Sequence, residues 1–171
     1  CSPLTPDEVK RLDAACALRG ITLAANQNCF VHLAEWLKRD RYLPLAEIDR
    51  LDRVWKFSEW ERQGPFSLCP TDPRALELVS DLLGQLLPNF SSKLVNINCD
   101  ETADVGQGRS KSVCDAQGRG TVYMEFVEKV CGVVRERGFR PMFWADIALS
   151  DPAAAARIPE DLLSLAWGYE P

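Results

Sequence analysis

Four short apolar runs of strand character, separated by amphipathic helical patterns, leave this chain few folds to choose from. Thr5-Pro6-Asp7-Glu8 offers a capping box, and Val9, Leu12, Ala15, Cys16 and Leu18 follow at helical spacing up to Gly20. Residues 21–25 then read as a strand that runs out into the polar stretch 26–32. Residues 33–63 read as one or two short amphipathic helices, with Trp36, Tyr42, Trp55, Phe57 and Trp60 as packing residues. Gly64-Pro65 breaks that pattern. Thr71-Asp72-Pro73 opens a clear helix with Leu76, Val79, Leu82, Leu83, Leu86 and Leu87 on its apolar face. A strand over 93–99 follows, then a Gly-rich loop over 102–120 and a helix over 121–137 that Gly138 closes. The last elements are a strand over 140–146, an Ala-rich segment over 152–157 and a strand over 162–169.

Alternation of this kind predicts an α/β fold of parallel strands joined by right-handed crossover helices. Each strand ends in polar or aromatic residues: Asn26 to Asn28, Asp100 and Glu101, Trp144 and Asp146, Trp167 and Tyr169. Parallel strands bring those ends to one rim, where barrel enzymes keep their chemistry. An open doubly wound sheet is the alternative, but no dinucleotide-binding fingerprint supports it. The loop 102–120 lacks the spacing of a phosphate-binding P-loop.

The stretch Lys93-Leu94-Val95-Asn96-Ile97-Asn98-Cys99-Asp100-Glu101 carries the strongest chemical signal. Asn96, Asn98 and Asp100 alternate with Val95, Ile97 and Cys99 at period two, and buried polar groups on one face need partners. The stretch ends in two adjacent carboxylates.

Other features narrow the choice of function. The net charge of −5 argues against nucleic acid as a partner, because phosphate binding needs a basic surface. No apolar run reaches the length of a membrane span and no signal peptide opens the chain, as expected of a soluble protein. The chain begins with Cys1 rather than Met, as a processed or partial piece would. Seven irregularly spaced cysteines without a C-x-x-C suit reduced, mostly buried thiols and favour a reducing compartment, which one stays open. With His32 the single histidine, no multi-histidine metal site can form, and any nucleophile–histidine scheme must run through it.

Taken in order, these motifs resemble those of glycoside hydrolase family 20, the β-N-acetylhexosaminidases. Asn26-Gln27-Asn28-Cys29-Phe30-Val31-His32 is similar to the family's third-strand motif. Asn98-Cys99-Asp100-Glu101-Thr102, with Gly106-Gln107-Gly108-Arg109-Ser110-Lys111 after it, is similar to the fourth, catalytic one. Phe143-Trp144-Ala145-Asp146 resembles the fifth and Ala166-Trp167-Gly168-Tyr169-Glu170 the sixth.

The resemblance implies that residues 1–171 are part of one (β/α)8 barrel, about strands three to six, since a full barrel takes about 250 residues. It also implies a retaining hydrolase of terminal N-acetylglucosamine or N-acetylgalactosamine, acting through the substrate's own 2-acetamido group. In that scheme Glu101 is the general acid and later base, and must stay partly protonated. Asp100 holds the acetamido N–H. Trp144 and Trp167 wall the acetamido pocket, and Asp146 and Tyr169 bond sugar hydroxyls or each other. His32 orients Asp100 or an adjacent acidic group, Asn28 joins the substrate-binding set, and Arg109 and Lys111 anchor the loop. No metal or organic cofactor is called for. The partner is an N-acetylhexosamine glycoside, with self-association through open barrel edges expected of the piece alone. The competing readings are a non-catalytic sugar-binding or barrel-remnant protein, and a barrel glycosidase of other sugar preference.

Overall fold

A computed structural model describes residues 3–169. Cys1, Ser2, Glu170 and Pro171 lie outside the described residues, and with them the Glu170 end of the sixth-strand motif. The first helix, α1 (Pro6–Ala17), starts with the expected capping box: Thr5 Oγ accepts the Glu8 N–H while Glu8 accepts the Thr5 N–H at 2.7 Å. Its apolar face is only partly covered. Asp13 is its one buried side chain, bonded to the Ser91 N–H, while Leu12 and Leu18 stay exposed.

Four parallel strands form the sheet: β1 (Ala25–Asn26), β4 (Leu94–Asn96), β5 (Arg140–Trp144) and β6 (Leu163–Leu165). Their spatial order is β1-β4-β5-β6, with Val95 beside Ala25 on one side and Pro141 on the other. Within this sheet, strands that are neighbours in space follow one another in chain order. A doubly wound sheet would reverse its order at a switch point, so this order removes that alternative.

The crossover helices are α3 (Pro73–Leu86), α5 (Arg119–Glu136), and the one-turn helices α6 (Asp146–Leu149) and α7 (Pro152–Ala155). Asp72 caps α3 by accepting the Arg74 N–H. Helix α5 is the most deeply buried, with Tyr123, Met124, Phe126, Val127, Val130 and Val134 inward. They meet Phe30, Val95, Ile97 and Phe143 from the sheet side in one continuous core. No helix among the described residues is long and apolar enough to cross a membrane.

The strands are shorter than the sequence pattern suggests: residues 21–24 precede the pairing of β1, and β4, β5 and β6 stop pairing where the rim begins. Two segments differ outright. Residues 33–63 hold a one-turn helix, α2 (Ala34–Leu37), a 3₁₀ turn (Leu43–Leu45) and an antiparallel hairpin of β2 (Val54–Phe57) and β3 (Trp60–Gln63). The loop 102–120 contains a further helix, α4 (Lys111–Gln117). Within it Lys111 pairs with Asp115 one turn on and anchors nothing else, whereas Arg109 does tie the loop down, to the Pro44 carbonyl and to Asp72.

Candidate active site

Regular β4 ends at Asn96, and the backbone then turns sharply. Asn98, Cys99 and Glu101 all have left-handed φ, at 58°, 71° and 45°. Past Asn96 the period-two alternation expected of a strand is therefore broken. The turn aims two adjacent carboxylates into a cleft at the C-terminal rim. His32, which follows β1, is also left-handed at φ 60°.

Asn98 holds this rim together. Its side-chain amide donates to Asn26 Oδ1 and Asn28 Oδ1, each at 2.7 Å, and its Oδ1 accepts the Trp144 indole N–H at 3.1 Å. Its backbone N–H donates to Asn96 Oδ1 and its carbonyl accepts the Trp144 N–H. One side chain thus links the ends of β1, β4 and β5, and the polar residues singled out in the sequence supply each other's partners. Asn28 faces Asn98 rather than the cleft.

The cleft, about 370 Å³, is lined by His32, Asp100, Glu101, Trp144, Trp167 and Tyr169. His32 Nε2 lies 3.2 Å from Asp100 Oδ2 and 3.7 Å from Glu101 Oε2. The bond to Asp100 raises the His32 pKa, against the opposing effect of burial. The other oxygen of Asp100, Oδ1, is buried without a hydrogen-bond partner among the described residues.

Asp146 opens α6 behind the pair. Its Oδ2 accepts the Glu101 N–H at 3.1 Å, and its other oxygen is likewise buried without a partner. Burial raises its pKa, which the Glu101 N–H opposes and the nearby Asp100 charge reinforces. Asp146 therefore supports Glu101 rather than lining the cleft. Trp144 ends β5, whereas Trp167 and Tyr169 lie beyond β6, exposed and with ring centroids 5.7 Å apart.

Ligand atoms of His32, Asp100 and Glu101 lie within 4.8 Å of one another, the one such cluster among the described residues with spacing to hold a metal ion. Two of those atoms are already bonded to each other.

Two buried carboxylates that sequence reasoning passed over brace the loop after the pair. Glu47 accepts from the Gly108 N–H, the Ser110 N–H and the Ser110 hydroxyl, and a Cβ on Gly108 would collide with the Glu47 carbonyl. Asp104 accepts from the Ser67 N–H at 2.9 Å and from the Ser67 hydroxyl. Nothing in the local pattern marks either residue, because their partners are tens of positions away. The phenol of Tyr123, buried on α5, donates to the Cys99 carbonyl at 2.8 Å and fixes the turn from below.

Parallel strands carry a histidine-backed carboxylate pair and a set of aromatics to one rim, the arrangement of a barrel-type α/β fold. The chain belongs to glycosyl hydrolase family 20: the sequence model of that family's catalytic domain matches residues 2–169. Among curated proteins, none matches it in sequence.

Solved structures share the fold. The Flavobacterium johnsoniae chitobiase is 16% identical with a TM-score of 0.75, covering 97% of this chain and 24% of its own. The exo-β-N-acetylglucosaminidase of Vibrio harveyi, solved with N-acetylglucosamine, is 19% identical with a TM-score of 0.74, covering 96% and 25%. The β-N-acetylhexosaminidase of Bacteroides fragilis is 17% identical with a TM-score of 0.68, covering 95% and 31%. The chain thus spans about a quarter to a third of these proteins, and its four parallel strands are part of a (β/α)8 barrel.

Proposed function

We propose that the intact protein is a retaining β-N-acetylhexosaminidase that removes terminal N-acetylglucosamine or N-acetylgalactosamine by substrate-assisted catalysis. The observation that carries this reading is the division of labour on Asp100. One oxygen is held by His32, and the other is buried with no protein donor among the described residues. A buried carboxylate oxygen is costly without a donor, and the N–H of a 2-acetamido group is the donor this reaction brings.

In the first step Glu101 protonates the glycosidic oxygen as the acetamido carbonyl oxygen attacks carbon one. The C–O bond to the leaving group breaks, and a bicyclic oxazolinium-like intermediate forms with its charge beside Asp100. Water then attacks carbon one from the face the leaving group left. Glu101 takes its proton, the acetamido group is restored and configuration is retained. Adjacent carboxylates suit this scheme because neither has to reach the opposite face of the sugar. His32 fixes the orientation of Asp100, Trp144 and Trp167 wall the acetamido methyl, and Tyr169 lies over the open side.

The test is a pair of rates on aryl glycosides that differ only at carbon two. The 2-acetamido sugar should be cleaved and the 2-hydroxy sugar left nearly untouched. Comparable rates on both would overturn the mechanism, and binding without hydrolysis of either would favour a sugar-binding protein.

A further inference from the structure

The proposed reaction uses His32, Asp100 and Glu101 to place charge and a proton, yet their spacing is also that of metal ligands. His32 Nε2 stands 3.2 Å from Asp100 Oδ2 and 3.7 Å from Glu101 Oε2, and one ligand atom from each residue falls within 4.8 Å of the other two. Ligand atoms held about 2.1 Å from a tetrahedral zinc ion lie about 3.4 Å apart. The two separations from His32 fall on either side of that value, so small side-chain rotations bring all three atoms onto one ion.

The charge balance also favours a cation. Two adjacent carboxylates face one imidazole, and among the described residues no Lys or Arg pairs with either of them. Asp100 Oδ1 is buried with no donor, which leaves half of that carboxylate uncompensated. Arg62 is held over the Phe57 and Phe66 rings, at 4.7 and 4.4 Å, rather than on the carboxylates. The His32 and Glu101 side chains are 33% and 34% exposed at the cleft, so an ion can reach them from solvent. Both residues sit in left-handed turns, and Asp146 fastens the Glu101 N–H, so the ligands are presented by a set backbone.

The donor set selects the ion. One imidazole nitrogen with two carboxylate oxygens suits zinc, whereas magnesium and calcium favour shells made of oxygen alone. Three protein ligands leave a fourth position for water.

We infer that His32, Asp100 and Glu101 form a zinc site that switches the cleft off. The ion displaces the proton between His32 Nε2 and Asp100 Oδ2, which passes to Nδ1 or to solvent. It is an inhibitor and not a cofactor. A Glu101 carboxylate bound to zinc carries no proton for a leaving group, and the ion neutralises the charge of Asp100. Zinc binding stands apart from the hexosaminidase reading, whereas its effect on turnover rests on that reading.

The experiment uses the full-length protein freed of metal by a chelator. Equilibrium dialysis against zinc chloride near neutral pH compares the wild type with His32→Ala and Glu101→Gln. The wild type should bind one zinc ion that His32→Ala binds at least about a hundredfold more weakly, and Glu101→Gln, which keeps the size of the side chain, should weaken it by about tenfold or more. Magnesium chloride should not displace the zinc. Zinc should also raise the Tm of the wild type well above its effect on either variant, and a cooperative melt of each variant without zinc shows that it is folded. No bound zinc in the wild type, or equal binding by all three proteins, overturns the site. Hydrolysis of an aryl N-acetylglucosaminide should fall as zinc fills the site, in competition with substrate, and recover when chelator is added. Undiminished hydrolysis at saturation overturns the switch. Zinc bound through these three residues in a protein that never cleaves the glycoside supports the metal site and overturns the hexosaminidase reading instead.

Discussion

Among the described residues, four of the five non-glycine residues with left-handed backbone belong to the candidate site: His32, Asn98, Cys99 and Glu101. Asparagine tolerates that region, but cysteine, histidine and glutamate adopt it at a cost on the order of 1 kcal/mol each. The surroundings hold them there through the Asn98 network, the Tyr123 phenol and the Asp146 carboxylate. The identity of the carboxylate pair was legible in sequence, since three polar residues at alternate positions of a strand demanded an explanation. Their conformation was not, because the groups that enforce it come from β1, α5 and α6. Replacing Glu101 by Gln keeps its size and removes the acid, so the proposed hydrolysis by the intact protein should slow by about a hundredfold or more. Glycosides with very good leaving groups should lose less, since their departure needs little protonation. Equal losses for good and poor leaving groups would remove Glu101 from the role of acid.

At the scale of elements, helices with a capping signal were easy to read and the hairpin was not. Val54-Trp55-Lys56-Phe57 has the alternation of a strand, but its turn is Ser58-Glu59, with Ser58 at φ 52° and none of the Asn-Gly or Asp-Gly chemistry that marks a two-residue hairpin. Arg109 anchors the loop after the pair as its position suggests, yet the main braces of that loop, Glu47 and Asp104, are long-range contacts. Asp104 gives a measurable consequence. Burial pushes its pKa up to about 6, against the two hydrogen bonds from Ser67 that favour the charged form. The unfolded chain releases this proton near pH 4, so between about pH 4 and 6 the folded chain holds more protons than the unfolded one. Stability from this residue is therefore greatest below pH 4 and is lost as pH rises to 6, by up to about 3 kcal/mol. Thermal melts of the wild type and of Asp104→Asn across pH 4 to 7 isolate the effect, because His32 contributes equally to both. The wild type should lose stability relative to the variant as pH rises, and parallel curves would refute the assignment.

At the scale of the whole molecule, strand order and the common rim were readable because alternation with crossover helices admits few topologies. The surfaces left bare were not readable, since the same apolar spacing describes a covered and an uncovered face. Strand β1 pairs only with β4 and β6 only with β5, so among the described residues each outer strand presents one unpaired edge. Leu12, Leu18 and Ile21 are exposed on or after α1, ahead of β1, and Trp167 is exposed just beyond β6. Unpaired backbone groups beside apolar side chains are the pattern that barrels avoid by closing. The 171-residue piece expressed by itself should therefore associate, pairing edges between copies or aggregating. In the intact protein the same edges should instead be covered by the rest of the barrel. Sedimentation of the isolated piece should show dimers or larger species that grow with concentration. Hydrogen exchange at residues 21–26 and 163–165 should be fast in any monomer that remains and slow in the full-length protein. A stable monomer with a cooperative melt and protected edge amides would mean that these four strands satisfy themselves, and the edge argument would fall.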